Sequence, residues 1–276
     1  MSVEGKGSCC AVSRNSEKTA IEAAPIIPAG VGERSNAIAL PGGRSHVGID
    51  NPAIPKDGEG PARFVKLNPF ALEAQTVTNR RFGEFVEATG YVTEAERFGW
   101  SAVFAGLVSK DTEVTGGAPD TPWWWRIDGA CWRHPEGPGS SIEDRLDHPV
   151  TQVSHADAVA FATWVGGRLP SEAEWERAAH GGVVGRKFVW GDEEPTDTKI
   201  FCNIWQGRFP DHNTMADGYM GTAPARSFEP NEGGFYNMAG NVWEWTADPY
   251  RIRSISRHAK QRNAAAVAAD ERLLKG

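Results

Sequence analysis

Several residue types that would place a chain quickly are scarce here. Among 276 residues there are four cysteines, four methionines and four tyrosines. Cys9, Cys10, Cys131 and Cys202 are too few and too scattered for a disulfide framework, and the adjacent Cys9 and Cys10 are not expected to bridge without strain. No apolar run reaches the ~18 residues that a membrane-spanning helix needs, so no membrane partner is expected. The N-terminus mixes charges and lacks the apolar stretch of a secretory signal, which makes the cytoplasm the expected compartment. There is no Gly-x-x-x-x-Gly-Lys, no dinucleotide fingerprint, no His-Glu-x-x-His and no Cys-x-x-Cys. A net charge of −7 disfavours non-specific nucleic-acid binding and leaves cationic ligands and metal ions open.

What is plentiful is glycine, proline and large rings: 31 Gly, 18 Pro, 11 Trp and 12 Phe. Many turns are implied, with an apolar interior pinned by indoles that also want hydrogen-bond partners. A 40% hydrophobic fraction beside 24% charged residues is that of a globular protein. Residues 1–36, rich in Gly, Ser, Ala and charge without a period, read as a disordered tail, and 37–276 as one large domain. Ala37–Leu40 and Ser45–Ile49 flank a Pro-Gly-Gly turn and read as a hairpin; 62–67 and 70–77 read as further strands. Thr78 caps a helix that ends at Gly90. Ser154 opens His155–Val165, and Ser171 with Glu174 forms a capping box for Glu172–Ala179. Val92 to Pro149 reads as a long functional insertion or rim, and 264–274 as weakly helical. The fold class is α+β, with few helices and much irregular structure.

The seven histidines never fall at the spacing of a helical metal pair, so His134, His148 and His155 read as hydrogen-bonded structural residues. Two C-terminal stretches carry more chemistry. Asn203-Ile204 is followed across a turn-rich loop by Asp217-Gly218-Tyr219, and Asn237, Gly240, Val242 and Glu244 lie within a single nine-residue run. Each mixes side-chain oxygens with turning backbone. Hard cations such as calcium take several oxygens supplied in that way, although such residues also simply cap loops.

The run Asp147-His-Pro-Val-Thr-Gln-Val-Ser-His, then Gly167-Arg-Leu-Pro-Ser-Glu-Ala-Glu-Trp-Glu176, resembles the formylglycine-generating enzymes, or sulfatase-modifying factors. So do Asn203-Ile-Trp-Gln-Gly207, Asp217-Gly-Tyr-Met-Gly-Thr-Ala-Pro224 and Gly234-Phe-Tyr-Asn-Met-Ala-Gly-Asn-Val-Trp-Glu-Trp245, and the similarity runs in one order over roughly residues 37–250. The resemblance implies a compact, C-type-lectin-like fold low in regular secondary structure. It implies two structural calcium sites, one on Asn203, Ile204 (carbonyl), Asp217 and Tyr219 (carbonyl). The other falls on Asn237, Gly240 (carbonyl), Val242 (carbonyl) and Glu244.

The activity implied is oxidation of a cysteine in an unfolded sulfatase segment, Cys-x-Pro-x-Arg, to formylglycine with O2, at a cysteine pair that binds copper(I). In the family that pair lies in a Gly-Gly-Ser-x-x-Cys-x-x-x-x-Cys stretch after a segment like Arg-x-Leu-Lys. This chain ends Arg272-Leu-Leu-Lys-Gly276, so the expectation is a chain lacking its copper ligands and the last strands of the fold, inactive alone, with no catalytic residue assigned. Truncation, a strand from another polypeptide, and a relative that only binds are the explanations open. The alternative function is a calcium-stabilised, non-catalytic binding module on the same fold. The acidic balance suits an Arg-bearing segment, with Trp123–Trp125 and Trp243 as possible lining.

Overall fold

The structure is a computed structural model in which residues 27–33, 36–183, 186–196 and 198–276 are described. Most of the expected tail lies outside these residues, as do Cys9 and Cys10. Within the same segment, Gly30 and Gly32 donate backbone hydrogen bonds to the Thr163 and Trp164 carbonyls, at 3.1 and 2.9 Å. The chain forms two compact units: Val77–Phe161 with Trp205–Pro224, and Ala29–Thr76 with Ala162–Ile204 and Ala225–Gly276. Short helices and short strands alternate throughout, as the α+β expectation holds.

In the first unit, helix α1 (Asn79–Thr89) starts where Thr78 accepts from the Arg81 N–H. It stops at Gly90, whose φ of 66° suits a residue without a Cβ. Its apolar stripe, Phe82, Phe85 and Val86, is buried. Phe82 meets Phe85 and Trp132 edge-on, with centroids 5.4 and 5.2 Å apart. A short helix, α2 (Glu94–Phe98), follows with a reciprocal Thr93–Glu96 capping box. The stretch from Val92 to Pro149, expected as an insertion or rim, contains a sheet. Strands β5 (Trp100–Phe104), β6 (Gly116–Ala118) and β7 (Thr121–Asp128) pair antiparallel in the order β5-β7-β6. The triple tryptophan sits on β7, and Trp125 packs against buried Val103, Ile127 and Ala130. Pairing across 20 residues defeated a reading that looked only for local periods.

In the second unit, the expected hairpin between residues 37–40 and 45–49 does not form. Strand β1 (Ala37–Leu40) pairs with β4 (Phe70–Glu73), and β2 (Gly43–Val47) pairs with β3 (Arg63–Leu67). Leu40 faces Phe70 and Gly43 faces Leu67, so the two pairings lie on either side of one gap. Pro41 and Pro69 both fall in that gap. Neither has an N–H to give, so the ladder is interrupted on both sides at the same level. The strand expected over 70–77 ends at Glu73.

Helix α3 (His155–Trp164) is followed by α4 (Glu172–Ala179), which packs on β2 and on the later strand Glu244–Pro249. Trp175, Ala178 and Ala179 of α4 join Phe235 and Met238 in a buried cluster, against Ile38, Leu40 and Leu72. Strand β10 (Glu244–Pro249) pairs with the final strand β11 (Arg272–Lys275), and between them runs α5 (Arg257–Ala268). The helix thus starts earlier than expected, at a Ser256 cap, and 272–275 is strand rather than helix. Two short strands, β8 (Gly207–Arg208) and β9 (His212–Asn213), belong to the first unit. Among the described residues no helix is long and apolar enough to cross a membrane.

Candidate metal centre

The second calcium set lies wholly in the second unit and is built from the core outward. Asn231 anchors the approach: its amide donates to the Ala178 and Ala179 carbonyls at 2.8 and 3.0 Å, closing the end of α4. Its Oδ1 accepts from the Gly233 and Phe235 N–H groups. Phe235 and Met238 then bury against α4, which holds the backbone on either side of Asn237. Three residues in the next five are left-handed: Asn237, Gly240 and Asn241, with φ of 50°, 73° and 66°. Left-handed turns redirect successive carbonyls, so a short run of chain presents oxygens from several directions. The Val242 N–H donates to the Gly240 carbonyl at 2.9 Å, which leaves a second lone pair on that oxygen.

Glu244 opens β10, and burial pushes its carboxyl up to about 7, with the Trp175 indole opposing the shift only in part. Its partner across the ladder is Lys275, but the Lys275 ammonium goes to Glu176 at 2.6 Å and to Glu172 at 3.6 Å. A desolvated carboxyl and a run of left-handed backbone with exposed oxygen lone pairs are, as residue types, the kind of donors a hard cation takes. Among the described residues no group of three or more His, Cys, Asp or Glu could hold a metal ion, so any site here depends on amide and backbone oxygens.

The first set divides between the units: Asn203 and Ile204 belong to one, Asp217 and Tyr219 to the other. Asn203 is buried, while the Ile204 side chain is exposed. Asp217 Oδ1 accepts from the Tyr219 N–H at 2.9 Å, and Oδ2 accepts from Gln206 Nε2 at 3.0 Å. Those bonds turn the chain at Gly218 and fix the carboxylate.

Cys131 and Cys202 are both buried. His134 Nδ1 lies 2.6 Å from the Ser140 carbonyl and His148 Nδ1 2.9 Å from Thr222 Oγ1, which agrees with structural roles. Trp123, Trp124 and Trp125 are each half-buried, and Trp243 is half exposed.

One cluster escaped sequence reasoning. Glu172 on α4 binds Arg63 and Arg253 through the same oxygen, and its N–H donates to Asp248 at 2.6 Å. Glu176, one turn later, takes the Gly48 N–H at 2.6 Å besides Lys275. The i, i+4 glutamates were visible in the sequence; their partners, up to 128 residues away, carry no local signal.

Comparison with known proteins gives the family of the chain. The family model of the sulfatase-modifying factor enzyme 1-like domain matches residues 24–276. Over 213 residues the chain is 55% identical to a formylglycine-generating enzyme of Thermomonospora curvata, covering 76% of this chain and 70% of that one. It is also 46% identical over 226 residues to the bovine inactive C-alpha-formylglycine-generating enzyme 2, covering 80% and 73%. The solved structure of PvdO from Pseudomonas aeruginosa shares the fold, with a TM-score of 0.54 at 24% identity over 84% of this chain and 77% of that one. The chain belongs to the sulfatase-modifying factor enzyme 1-like family.

Proposed function

We propose that this chain comes from the lineage that converts a cysteine of a sulfatase segment, Cys-x-Pro-x-Arg, into formylglycine. The observation that carries this reading is the 55% identity to a formylglycine-generating enzyme across three quarters of the chain. In this reading the unfolded sulfatase segment is the partner and the protein is cytoplasmic. The lectin-like kinship of the fold belongs to the same reading. Calcium is held structurally at Asn203, Ile204, Asp217 and Tyr219, and at Asn237, Gly240, Val242 and Glu244. The succession of left-handed residues Asn237, Gly240 and Asn241 just before the partly buried Glu244 supports the second of these.

Copper(I) bound by a thiolate pair would supply the activation of O2. The described residues do not fit that ion, because Cys131 and Cys202 are both buried and no group of three or more His, Cys, Asp or Glu that could hold a metal ion is present among them. No step through copper is therefore derived, and the chain by itself is read as catalytically incomplete. A second reading, a calcium-stabilised binding module without redox chemistry, is favoured by the 46% identity to a relative named inactive.

One experiment separates them. The purified chain is incubated with copper(I), O2 and a Cys-x-Pro-x-Arg peptide, and the peptide is examined by mass spectrometry and for binding. Binding without aldehyde fits the incomplete enzyme and the binding module alike, and adding a segment carrying the Gly-Gly-Ser-x-x-Cys-x-x-x-x-Cys stretch then distinguishes them, since only the former gains activity. Aldehyde formed by the chain alone overturns catalytic incompleteness.

A further inference from the structure

Asn203 and Asn241 are joined twice. The Asn241 N–H donates to the Asn203 carbonyl at 2.7 Å, and Asn203 Nδ2 donates to Asn241 Oδ1 at 3.1 Å. The approach is so close that a Cβ on Gly240 would overlap the Asn203 carbonyl oxygen. Asn203 is buried and Asn241 partly so, which shelters the joint in part from water and strengthens its hydrogen bonds.

The consequence follows from peptide planarity. In a trans peptide the N–H and the preceding C=O point in opposite directions. Tying the Asn241 N–H to Asn203 therefore aims the Gly240 carbonyl away from Asn203, and the Val242 N–H fixes the same carbonyl from the other side. The side-chain bond locks Asn241 in its left-handed turn, which only glycine, asparagine or aspartate adopt readily.

We propose that Asn241, which belongs to neither calcium set, is a positioning residue for cation binding. It aims the Gly240 carbonyl, and through Asn203 it links the Asn237–Glu244 set to the set that begins at Asn203. The inference rests on the calcium reading given above, and its test is arranged so that the two can fail separately.

The full chain is titrated with calcium by calorimetry, and its melting temperature is followed in calcium and in chelator. Asn241→Gly keeps the left-handed turn and removes the side-chain bond to Asn203; it should bind calcium about fivefold more weakly, the scale of one net hydrogen bond. Its melting temperature in chelator should stay near that of the unaltered chain. Asn241→Asp keeps the acceptor and should bind like the unaltered chain. If the glycine variant does not fold, Asn241→Ser loses the bond and the left-handed preference together and should bind at least as weakly, so unchanged affinity in it overturns the role equally. Unchanged affinity in Asn241→Gly overturns the positioning role while the calcium reading stands. Equal loss of melting temperature in calcium and chelator, with unchanged affinity, also overturns it, in favour of packing. An unaltered chain that takes up no calcium overturns both.

Discussion

Lys275 stands directly across the β10–β11 ladder from Glu244, yet its ammonium lies 2.6 Å from Glu176 Oε1 on α4. Facing residues of an antiparallel pair share one side of the ribbon, so an ion pair between them would be the simple expectation. Glu172 and Glu176 take the Lys275 ammonium in place of Glu244. Glu244 is left desolvated and shifted upward, a state that a bound cation would relieve.

Replacing Glu244 by Gln should therefore have opposite effects in two buffers. In saturating calcium the variant should lose the ligand-linked stabilisation, about 2.7 kcal/mol at a hundredfold excess over the dissociation constant. In chelator it should be neutral or slightly stabilising, because a buried carboxyl with a raised pKa is itself a cost above the ordinary carboxylate range. Thermal melts in both buffers check this; equal loss in both would assign Glu244 to packing.

Lys275→Met leaves Glu176 without its cation, while Glu172 keeps both arginines. The Glu172 and Glu176 side chains are only 5% and 10% exposed, so the loss should approach the ~3 kcal/mol of a broken buried pair. Adding Glu176→Gln to Lys275→Met should restore part of it. Urea unfolding of the four proteins of that cycle measures the coupling, and additive effects would show that the pair is not coupled.

Glu174 reports on acid stability. The Arg168 guanidinium, helped by the Ser171 cap, holds its carboxyl down at about 2 against an ordinary 4.5. A depressed carboxylate contributes stability that is complete above its unfolded value and lost as pH falls through its folded one. The loss should therefore spread from about pH 4.5 down to about pH 2. Arg168→Met should narrow that window from below. Unfolding midpoints at pH 6, 4 and 3 would show it, and identical acid profiles would remove the assignment.

Gly90 and Gly240 are both left-handed but differ in what surrounds them. A Cβ at Gly90 meets open space, whereas at Gly240 it strikes the Asn203 carbonyl. Alanine at Gly90 should cost about 1 kcal/mol from backbone conformation alone. Alanine at Gly240 should cost clearly more and should also weaken calcium binding. Comparable losses at the two positions would mean that the chain near Asn203 yields easily.

Helix caps were legible because they are local. Thr78 with Gly90, and Ser171 with Glu174, specify their helices within a dozen residues, and both stand as read. The strand partners of 37–47 were not, because two prolines 28 residues apart had to be seen at one level of a ribbon. The candidate metal residues came from motif resemblance, and the fold's own chemistry adds the desolvation of Glu244.

By itself the sequence determined the family, the caps, the ring-rich interior and the oxygen-bearing loops, all properties that reside in neighbouring residues. Tertiary structure alone decided that Lys275 serves Glu176 rather than Glu244, and that Asn203 meets Asn241. Both depend on which groups distant segments bring within about 3 Å, the range over which hydrogen bonds and ion pairs are made, and no local pattern encodes that distance.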